Sequence, residues 1–287
     1  MTRPESLRRG AALMVLSAFF FAGMGFAVKL AARSLPNVTV VFARNFFGLL
    51  ALLPWLLPLG ASGLRTSKLG EHLIRALAGL AAMYCFFYAI GRMRLADAVL
   101  LNYSLPLFMP VIAFVWLGER IPPGLWRGLG LGFLGILLIL KPGSGLFEPV
   151  ALLGVASAIL AALAQVGVRR LTETEPVTRI VFYFSVISTA VSAVPVLGDW
   201  PRLEPRLLGL LVVLGMLATA AQLSLTRAYA QAPAAQVGPF IYACVPFAAI
   251  LEGVFLGHWP DGLSILGSLL VCAAGILVLR QSRPAVA

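Results

Sequence analysis

Charged residues are scarce in this sequence: Asp, Glu, Lys and Arg make up 11% of its 287 residues, against about 25% in ordinary soluble domains. Hydrophobic residues make up 60%, and the mean hydropathy is +0.96. So few charges could not cover the surface of a soluble domain of this size. The chain is therefore predicted to be an integral membrane protein, and a soluble enzyme is excluded.

Cysteine and histidine are also scarce, with three and two residues. The cysteines (Cys85, Cys244 and Cys272) are irregularly spaced inside apolar runs, which excludes a disulfide framework and a metal-ligand set. The sequence has no GxxxxGKS/T, HExxH or GxSxG motif, so it lacks these signatures of nucleotide hydrolases, zinc proteases and serine hydrolases. We predict that the protein is not an enzyme and holds no cofactor or metal.

Long apolar runs fill most of the chain. A bilayer core about 30 Å thick is crossed by about 20 helical residues, and the continuous runs do not alternate as porin strands do. They predict an all-α integral membrane protein with ten transmembrane helices. These helices, numbered here as spans 1 to 10, are predicted at residues 11–32, 38–59, 72–91, 96–117, 124–140, 149–168, 178–198, 207–227, 234–257 and 262–280.

The charge is unbalanced, with 22 Lys and Arg against 11 Asp and Glu. In a soluble protein this excess would suggest nucleic acid. If the N-terminus is cytoplasmic, about twice as many basic residues fall on the cytoplasmic side as on the outer side, which agrees with the positive-inside rule. We therefore predict a multi-pass protein of a bacterial-type cytoplasmic membrane with both termini in the cytoplasm and no nucleic-acid partner.

The sequence carries a weak internal repeat. Residues 96–128 and 235–267 share Ala, Tyr, Leu and Gly residues at matching positions, including Gly118 with Gly257. The repeat predicts two halves of five spans each, at residues 11–140 and 149–280. Because five is odd, the second half enters the membrane from the opposite side, which gives the inverted-topology repeats common in secondary transporters.

Four short segments show a resemblance to a known family. They are AVKL at 27–30, FARN at 42–45, LGER at 117–120 and APAAQVGPF at 232–240. In this order and spacing the chain resembles the ten-helix EamA-type proteins of the drug/metabolite transporter superfamily. One departure is visible, because the Gly-Glu that the family often has at the end of span 9 reads Gly257-His258.

The resemblance implies a small-molecule carrier that works by alternating access. Members move amino acids, metabolites derived from them, nucleoside-like compounds or vitamins. The resemblance also implies a substrate cavity among spans 1–4 and 6–9, with spans 5 and 10 at the periphery.

Two ionisable residues inside the spans are candidates for substrate contact. Arg44 in span 2 and Glu252 in span 9 lie at similar depth, within about 10 Å of the predicted outer surface. Charges inside a membrane are costly and usually functional. The pair could form an outer gate or anchor a zwitterionic substrate; a static ion pair or two separate snorkelling side chains are the alternatives.

Three residues at span ends are candidates for gating. Lys29 ends span 1 on the outer side, where it could also simply snorkel. Glu119 and Arg120 follow span 4 on the cytoplasmic side, where an exposed salt bridge is the alternative to an inner latch.

Uncharged polar residues and prolines mark further candidates. Prolines that interrupt corresponding helices in two halves point to a transporter site, and we expect kinks at Pro106 and Pro110 in span 4 and at Pro239 and Pro246 in span 9. Interhelical packing is the alternative role for each polar residue. The polar candidates for substrate binding are Tyr84, Tyr88, Asn102, Tyr103, Gln165, Tyr183, Gln222 and Tyr242.

A stripe of small residues (Gly124, Gly128 and Gly132) on span 5 could form a dimer face or pack within the molecule, so the oligomeric state stays open.

Together these patterns predict a secondary transporter that exports an amino acid or an amino-acid-derived metabolite, with a proton or another gradient as a possible driving force. An importer of a vitamin or nucleoside-like compound, of the riboflavin or S-adenosylmethionine type, is the alternative. A channel or a non-transporting membrane subunit is a more distant one, since no filter sequence or charged ring is visible.

Overall fold

The computed structural model describes residues 6–92, 95–122, 124–143, 149–198, 204–257 and 259–281, and within these ranges the chain is helical and contains no β-strand. All ten predicted spans are helical. Eight are single helices: Leu7–Ala31 (span 1), Asn37–Leu56 (2), Leu69–Arg92 (3), Leu125–Leu140 (5), Ala151–Leu171 (6), Val177–Ala193 (7), Pro205–Tyr229 (8) and Gly262–Gln281 (10). Short helical turns at Leu57–Leu59, Gly60–Gly63 and Val194–Val196 extend spans 2 and 7.

Spans 4 and 9 are interrupted helices. Span 4 consists of Leu95–Asn102 and Leu105–Leu117, and span 9 consists of Ala234–Val237, a 3-10 segment at Gly238–Ala243, and Cys244–Leu256. The second helix of each span has 13 residues. The two halves of the chain therefore break corresponding helices, as the repeat predicted.

The prolines lie at or near these breaks. Pro106 occupies the first turn after the break in span 4, and Pro239 the first turn of the 3-10 segment in span 9, where a missing N–H costs least. Pro110 and Pro246 lie inside helices that continue past them. The predicted interruptions thus occur beside Pro106 and Pro239, and the other two prolines do not end a helix.

Seven helical stretches within the described ranges are long and apolar enough to cross a membrane. They are spans 1, 2, 4, 6, 7, 8 and 9. Spans 5 and 10 are shorter apolar helices, and span 3 has 24 residues with charged or polar side chains in its first turns. The lengths fit the membrane-spanning fold predicted from composition.

The main contacts between spans of the two halves each have an equivalent contact between the corresponding spans of the opposite halves. Span 1 packs on span 8, and its counterpart span 6 packs on span 3, the counterpart of span 8. Spans 2 and 7 pack on each other, as do spans 5 and 10. A pseudo-twofold axis therefore passes between spans 2 and 7, which places both halves around the centre of the bundle.

The glycines of span 5 pack within the molecule. A Cβ on Gly128 would lie 2.5 Å from Val278 of span 10, and one on Gly132 would lie 2.6 Å from the ring of Tyr242. At Gly135 an added Cβ would lie 2.6 Å from the carbonyl oxygen of Gly267. Small residues thus let spans 5 and 10 approach backbone to backbone, which is the intramolecular alternative for the stripe.

Candidate functional site

A small cavity with room for about one water molecule lies between spans 2, 7 and 8, beside the pseudo-twofold axis. Its lining is mixed, with one charged side chain, several small polar groups and an aromatic ring. The lining residues are Arg44, Asn45 and Gly48 of span 2, Val181, Phe184 and Ser185 of span 7, and Ala218, Thr219 and Gln222 of span 8. Two predicted substrate-binding residues, Arg44 and Gln222, therefore share one cavity.

Arg44 is buried, with 7% of its surface exposed. Its Nη1 donates to Asn45 Oδ1 at 2.8 Å, and its guanidinium carbon lies 5.6 Å from the centre of the Phe184 ring. Its Nε is buried and has no hydrogen-bond partner among the described residues. Span 2 begins at Asn37, so Arg44 lies about two turns inside the helix, where a charge costs about 2.5–3.5 kcal/mol on insertion scales.

A second arginine, Arg75 of span 3, contacts two residues that line this cavity. Only 4% of it is exposed, its Nη2 donates to Gln222 Oε1 at 2.8 Å, and its guanidinium carbon lies 3.5 Å from the Phe184 ring centre. Its Nε is also buried without a described partner. Phe184 and Gln222 of the second half thus contact arginines of the first half.

Sequence reasoning missed Arg75. The predicted start of span 3 at residue 72 left Arg75 near the membrane surface, but the helix begins at Leu69 and buries this side chain. A signal was present: His72 and Arg75 are three positions apart, share a helix face, and are both buried. Two polar residues with helical spacing at the start of an apolar run indicate a buried polar face.

None of the acidic side chains that the structure describes forms an ion pair with either arginine. Those in ion pairs are Glu71 with Lys68 and Arg170, Glu119 with Arg169, Glu175 with Arg179, Glu252 with Lys29, and Asp261 with Lys141. Glu173 and Glu204 are exposed at helix ends. Within the described part of the chain, therefore, the two buried arginines have no carboxylate partner.

The charged and amide groups of the cavity act as hydrogen-bond donors, and its neutral acceptors are the Ser185 and Thr219 hydroxyl oxygens. Since a guanidinium only donates, the Gln222 oxygen is occupied by Arg75 and the Gln222 NH₂ group is left to donate. Thr219 donates its hydroxyl hydrogen to the Gly48 carbonyl at 2.7 Å, and Asn45 Oδ1 already accepts from Arg44. A ligand in this cavity therefore meets positive charge and N–H groups.

Glu119 forms a largely buried junction at one end of the bundle, called here the Glu119 end. Its Oε1 accepts from Arg169 Nε and from the Ala234 amide, each at 3.2 Å, and its Oε2 accepts from the Ala235 amide at 3.5 Å. The junction joins the end of span 4 to the end of span 6 and the start of span 9. Arg120, predicted to act with Glu119, is exposed, so Arg169 takes the place expected for it.

A second buried carboxylate, Glu175, lies between spans 6 and 7 at the same end. It accepts from Thr66 Oγ1 and from Arg179 Nη1, each at 2.6 Å. Burial raises the pKa of this carboxyl, but the hydrogen bonds from Thr66 and Arg179 outweigh burial and lower the pKa below its ordinary value. Glu175 thus holds the chain after span 2 against span 7 as a carboxylate.

At the opposite end, called here the Lys29 end, Lys29 Nζ donates to Glu252 Oε1 at 2.5 Å and joins spans 1 and 9. Glu252 thus pairs with Lys29 rather than with Arg44, a question that the sequence left open. Glu252 lies in a half-exposed pair outside the cavity, and Arg44 lies inside it. The two predicted gating residues Lys29 and Glu119 therefore lie at opposite ends. Lys29 pairs with the carboxylate of Glu252, and Glu119 pairs with the guanidinium of Arg169.

The polar residues near the breaks tie helices together. The Tyr103 hydroxyl donates to Cys244 Sγ at 2.7 Å and so joins the two interrupted spans. Asn102 donates to Ser157 of span 6 at 3.1 Å, and Tyr242 is buried against Gly132 with its hydroxyl unpartnered among the described atoms. None of the three lines the central cavity between spans 2, 7 and 8.

The remaining predicted residues are dispersed. Gln165 accepts a hydrogen bond from the buried Tyr229 hydroxyl, and Tyr183 donates to the Leu64 carbonyl at 3.0 Å and stacks on His72. Tyr84 is partly buried in span 3. Tyr88 is half exposed beneath the Arg92 guanidinium, at an open cleft that Pro149, Val150 and Leu153 also line. The structure therefore brings only part of the predicted set to the central cavity.

Comparison with known proteins gives consistent matches over the whole chain. The EamA-like transporter family matches it twice, at residues 8–141 and 149–280. A pseudopaline exporter, CntI, of Pseudomonas aeruginosa is 34% identical over 97% of this chain and 99% of its own length. A riboflavin transporter of Rhizobium johnstonii is 29% identical over 95% and 91% of the two chains. An S-adenosylmethionine uptake transporter of Rickettsia bellii is 26% identical over 90% and 88%.

A solved crystal structure of another protein shares the fold. It superposes with a TM-score of 0.81 over 96% of this chain and 99% of the other, at 19% sequence identity. At this identity the likeness concerns the arrangement of helices alone.

Proposed function

Because the chain belongs to the EamA-like transporter family, we propose that it exports an amino acid or an amino-acid-derived metabolite by alternating access. Membership confirms the resemblance to drug/metabolite transporters that the motifs of spans 1, 2, 4 and 9 suggested. The chain is a multi-pass membrane transporter of a small metabolite and not an enzyme. The substrate, the direction of transport and the mechanism are our proposals.

The observation that carries the mechanism is the polar cavity between symmetry-related spans. Arg44 comes from the first half, Phe184 and Gln222 come from the second, and ion pairs join spans at both ends of the bundle. A site between two repeats, with a separable junction at each end, is what rocking of one repeat against the other requires. A channel needs a continuous open path instead.

Export is supported by the relative that is 34% identical, which is named an exporter. Import of a vitamin or nucleoside-like compound is the second candidate, because riboflavin and S-adenosylmethionine transporters match 90% or more of the chain. We place the protein in the cytoplasmic membrane with both termini inside, which follows from the distribution of Lys and Arg. The Glu119 end is then cytoplasmic.

The test is counterflow in proteoliposomes that contain the purified protein. Vesicles are loaded with an unlabelled compound, and uptake of the same labelled compound is followed for pseudopaline, an amino-acid mixture, riboflavin and S-adenosylmethionine. We expect saturable, transient accumulation of pseudopaline or an amino acid, and loss of this accumulation with Arg44→Gln. Arg127→Gln, which changes an exposed arginine, is the matched control.

Each other result contradicts a defined part of the proposal. Counterflow with riboflavin or S-adenosylmethionine alone supports the second candidate. Flux without counterflow indicates a channel, and no flux of any compound above protein-free vesicles opposes this substrate class. Direction is read in cells: release of the transported compound into the medium should rise with expression of the intact protein, whereas uptake should rise for an importer.

A further inference from the structure

The central cavity has positive charge that no carboxylate among the described side chains neutralises. Arg44 lines it and Arg75 borders it through Phe184 and Gln222, and both arginines are more than nine-tenths buried. The described carboxylates pair with other cations or lie exposed at helix ends. Buried charges are normally paired, and among the described residues the two arginines lack the anionic partner that a bound ligand would supply.

We propose that the cavity is an anion subsite that receives a substrate end with two carboxylates, which Arg44 and Arg75 neutralise together. The proposal rests on the proposed transport function and specifies its substrate class. It replaces the zwitterion expected from the sequence with a substrate whose bound end is a dianion.

The unused donors of the arginines support this assignment. A guanidinium has five N–H donors in a planar fork that matches the two oxygens of a carboxylate. Arg44 donates from Nη1 to Asn45, and Arg75 donates from Nη2 to Gln222. Both Nε atoms are buried without a described partner. Both guanidiniums lie over the Phe184 ring, and this contact does not neutralise their charge.

The neutral groups of the cavity support an acceptor ligand as well. Arg75 occupies the oxygen of Gln222, so the Gln222 NH₂ group adds a donor beside Arg44. A substrate ammonium would need acceptors, but Glu252, the acid predicted to bind one, is held by Lys29 outside the cavity. Positive charge in the substrate is therefore disfavoured at this place.

The cavity is small in this state of the protein, with room for about one water molecule. A substrate end therefore enters only when the spans that line the cavity move apart, as rocking of one repeat against the other allows. Five-carbon compounds that differ only in their end groups compare the charge of that end at constant chain length.

The experiment compares four such probes by thermal unfolding of the purified protein in detergent. They are glutarate (two carboxylates), valerate (one), norvaline (a zwitterion) and pentylamine (a cation), at matched ionic strength and neutral pH. A ligand that binds only the folded state raises the unfolding temperature according to its affinity. We expect the largest rise with glutarate, a smaller one with valerate, little with norvaline and none with pentylamine.

Variants link the order of the probes to the two arginines. Arg75→Gln removes one charge, so glutarate should bind roughly 10- to 100-fold more weakly and lose most of its advantage over valerate. Arg44→Gln should weaken both anions, and Arg75→Lys should retain part of the preference for glutarate. Arg127→Gln, an exposed arginine of span 5, should leave all four responses unchanged.

Several results would overturn the subsite. They are equal stabilisation by glutarate and valerate, stronger stabilisation by norvaline or pentylamine, and an unchanged preference in Arg75→Gln. Tighter binding of inorganic phosphate than of glutarate would overturn the assignment to carboxylates. If a variant fails to fold, the order in which the four probes raise the unfolding temperature of the intact protein still tests the subsite.

The same experiments distinguish failure of the transport proposal from failure of the anion subsite. Counterflow of an amino-acid-derived compound that glutarate does not inhibit would leave transport standing and overturn the subsite. Binding of glutarate that depends on both arginines, without counterflow of any compound, would overturn transport and leave the subsite.

Discussion

The two ends of the helix bundle hold their ion pairs in different surroundings. At the Glu119 end the side chains of Glu119 and Glu175 are 12% and 4% exposed. At the Lys29 end those of Glu252 and Asp261 are 38% and 55% exposed. Because exposed pairs contribute about 0–1 kcal/mol and breaking a buried pair costs about 3–5 kcal/mol, the Glu119 end is held more firmly.

The difference has a local origin in the repeat. Gly118 and Gly257 end the second helices of spans 4 and 9, both in the left-handed conformation that glycine adopts without strain. The next residue is Glu119 in the first half but His258 in the second, and His258 lies outside the described residues. The repeat therefore preserves the helix end, while only the first half has a carboxylate after it.

For a transporter this asymmetry bears on which end opens more readily. Separating the Glu119 end breaks hydrogen bonds to Arg169, Ala234 and Ala235 in a buried place. Separating the spans at the Lys29 end breaks the half-exposed ion pair between Lys29 and Glu252, and water then solvates both groups. We expect the Lys29 end to open at lower cost, and the substitutions below test this comparison.

The largest effect is expected from Glu119→Ala. The change removes the carboxylate partner of Arg169 and the acceptor of two backbone amides, so the free energy of unfolding should fall by about 3 kcal/mol. Glu119→Gln keeps one acceptor and should lose less. Unfolding of the purified protein in detergent measures both.

The control for this change is the adjacent residue. Arg120 is exposed, so Arg120→Ala should change the free energy of unfolding by no more than about 0.5 kcal/mol. Similar losses for Glu119→Ala and Arg120→Ala would show that the Glu119 junction does not hold this end.

A smaller effect, with a defined pH dependence, is expected from Glu175→Gln. Loss of charge-assisted bonds from Thr66 and Arg179 should cost about 2 kcal/mol at pH 7. Because the folded-state pKa of Glu175 lies below its ordinary value of 4.5, the intact carboxylate stabilises the fold fully above that value. This stabilisation is lost as the pH falls through the folded-state pKa.

Unfolding temperatures at pH 7 and pH 4 provide the measurement. The gap between the intact protein and Glu175→Gln should be larger at pH 7 than at pH 4. A gap that grows on acidification would contradict the role of the ionised carboxylate.

The fold was predictable from the sequence because a membrane constrains it so strongly. Low charge and runs of about 20 apolar residues predict spans without knowledge of any contact. Kinks were predicted at four prolines because each removes a backbone donor. The helices are interrupted beside Pro106 and Pro239 but continue past Pro110 and Pro246, and the sequence did not distinguish the two kinds.

The site was predictable only in part, because partners depend on helix rotation and depth. Arg44 and Gln222 were identified as polar residues in apolar runs, and the structure brings them to one cavity. Arg75 was missed because an error of three residues in a helix start is about one turn. The ion pair between Glu119 and Arg169 was not predicted, since the sequence does not reveal that Arg169 approaches from span 6.

The smallest effect is expected from Glu252→Gln at the Lys29 end. Lys29 and Glu252 are 36% and 38% exposed, so water and salt screen them, and the loss in unfolding free energy should be below about 1 kcal/mol and shrink further in 0.5 M salt. Hydrogen exchange gives the sharper comparison, because local opening is reported amide by amide. In Glu252→Gln, amides near Lys29 and Glu252 should exchange faster while those of Ala234 and Ala235 keep their protection. If Glu252→Gln instead destabilises the protein as much as Glu119→Ala, the two ends are equally firm and the exposure of their ion pairs does not decide which one opens.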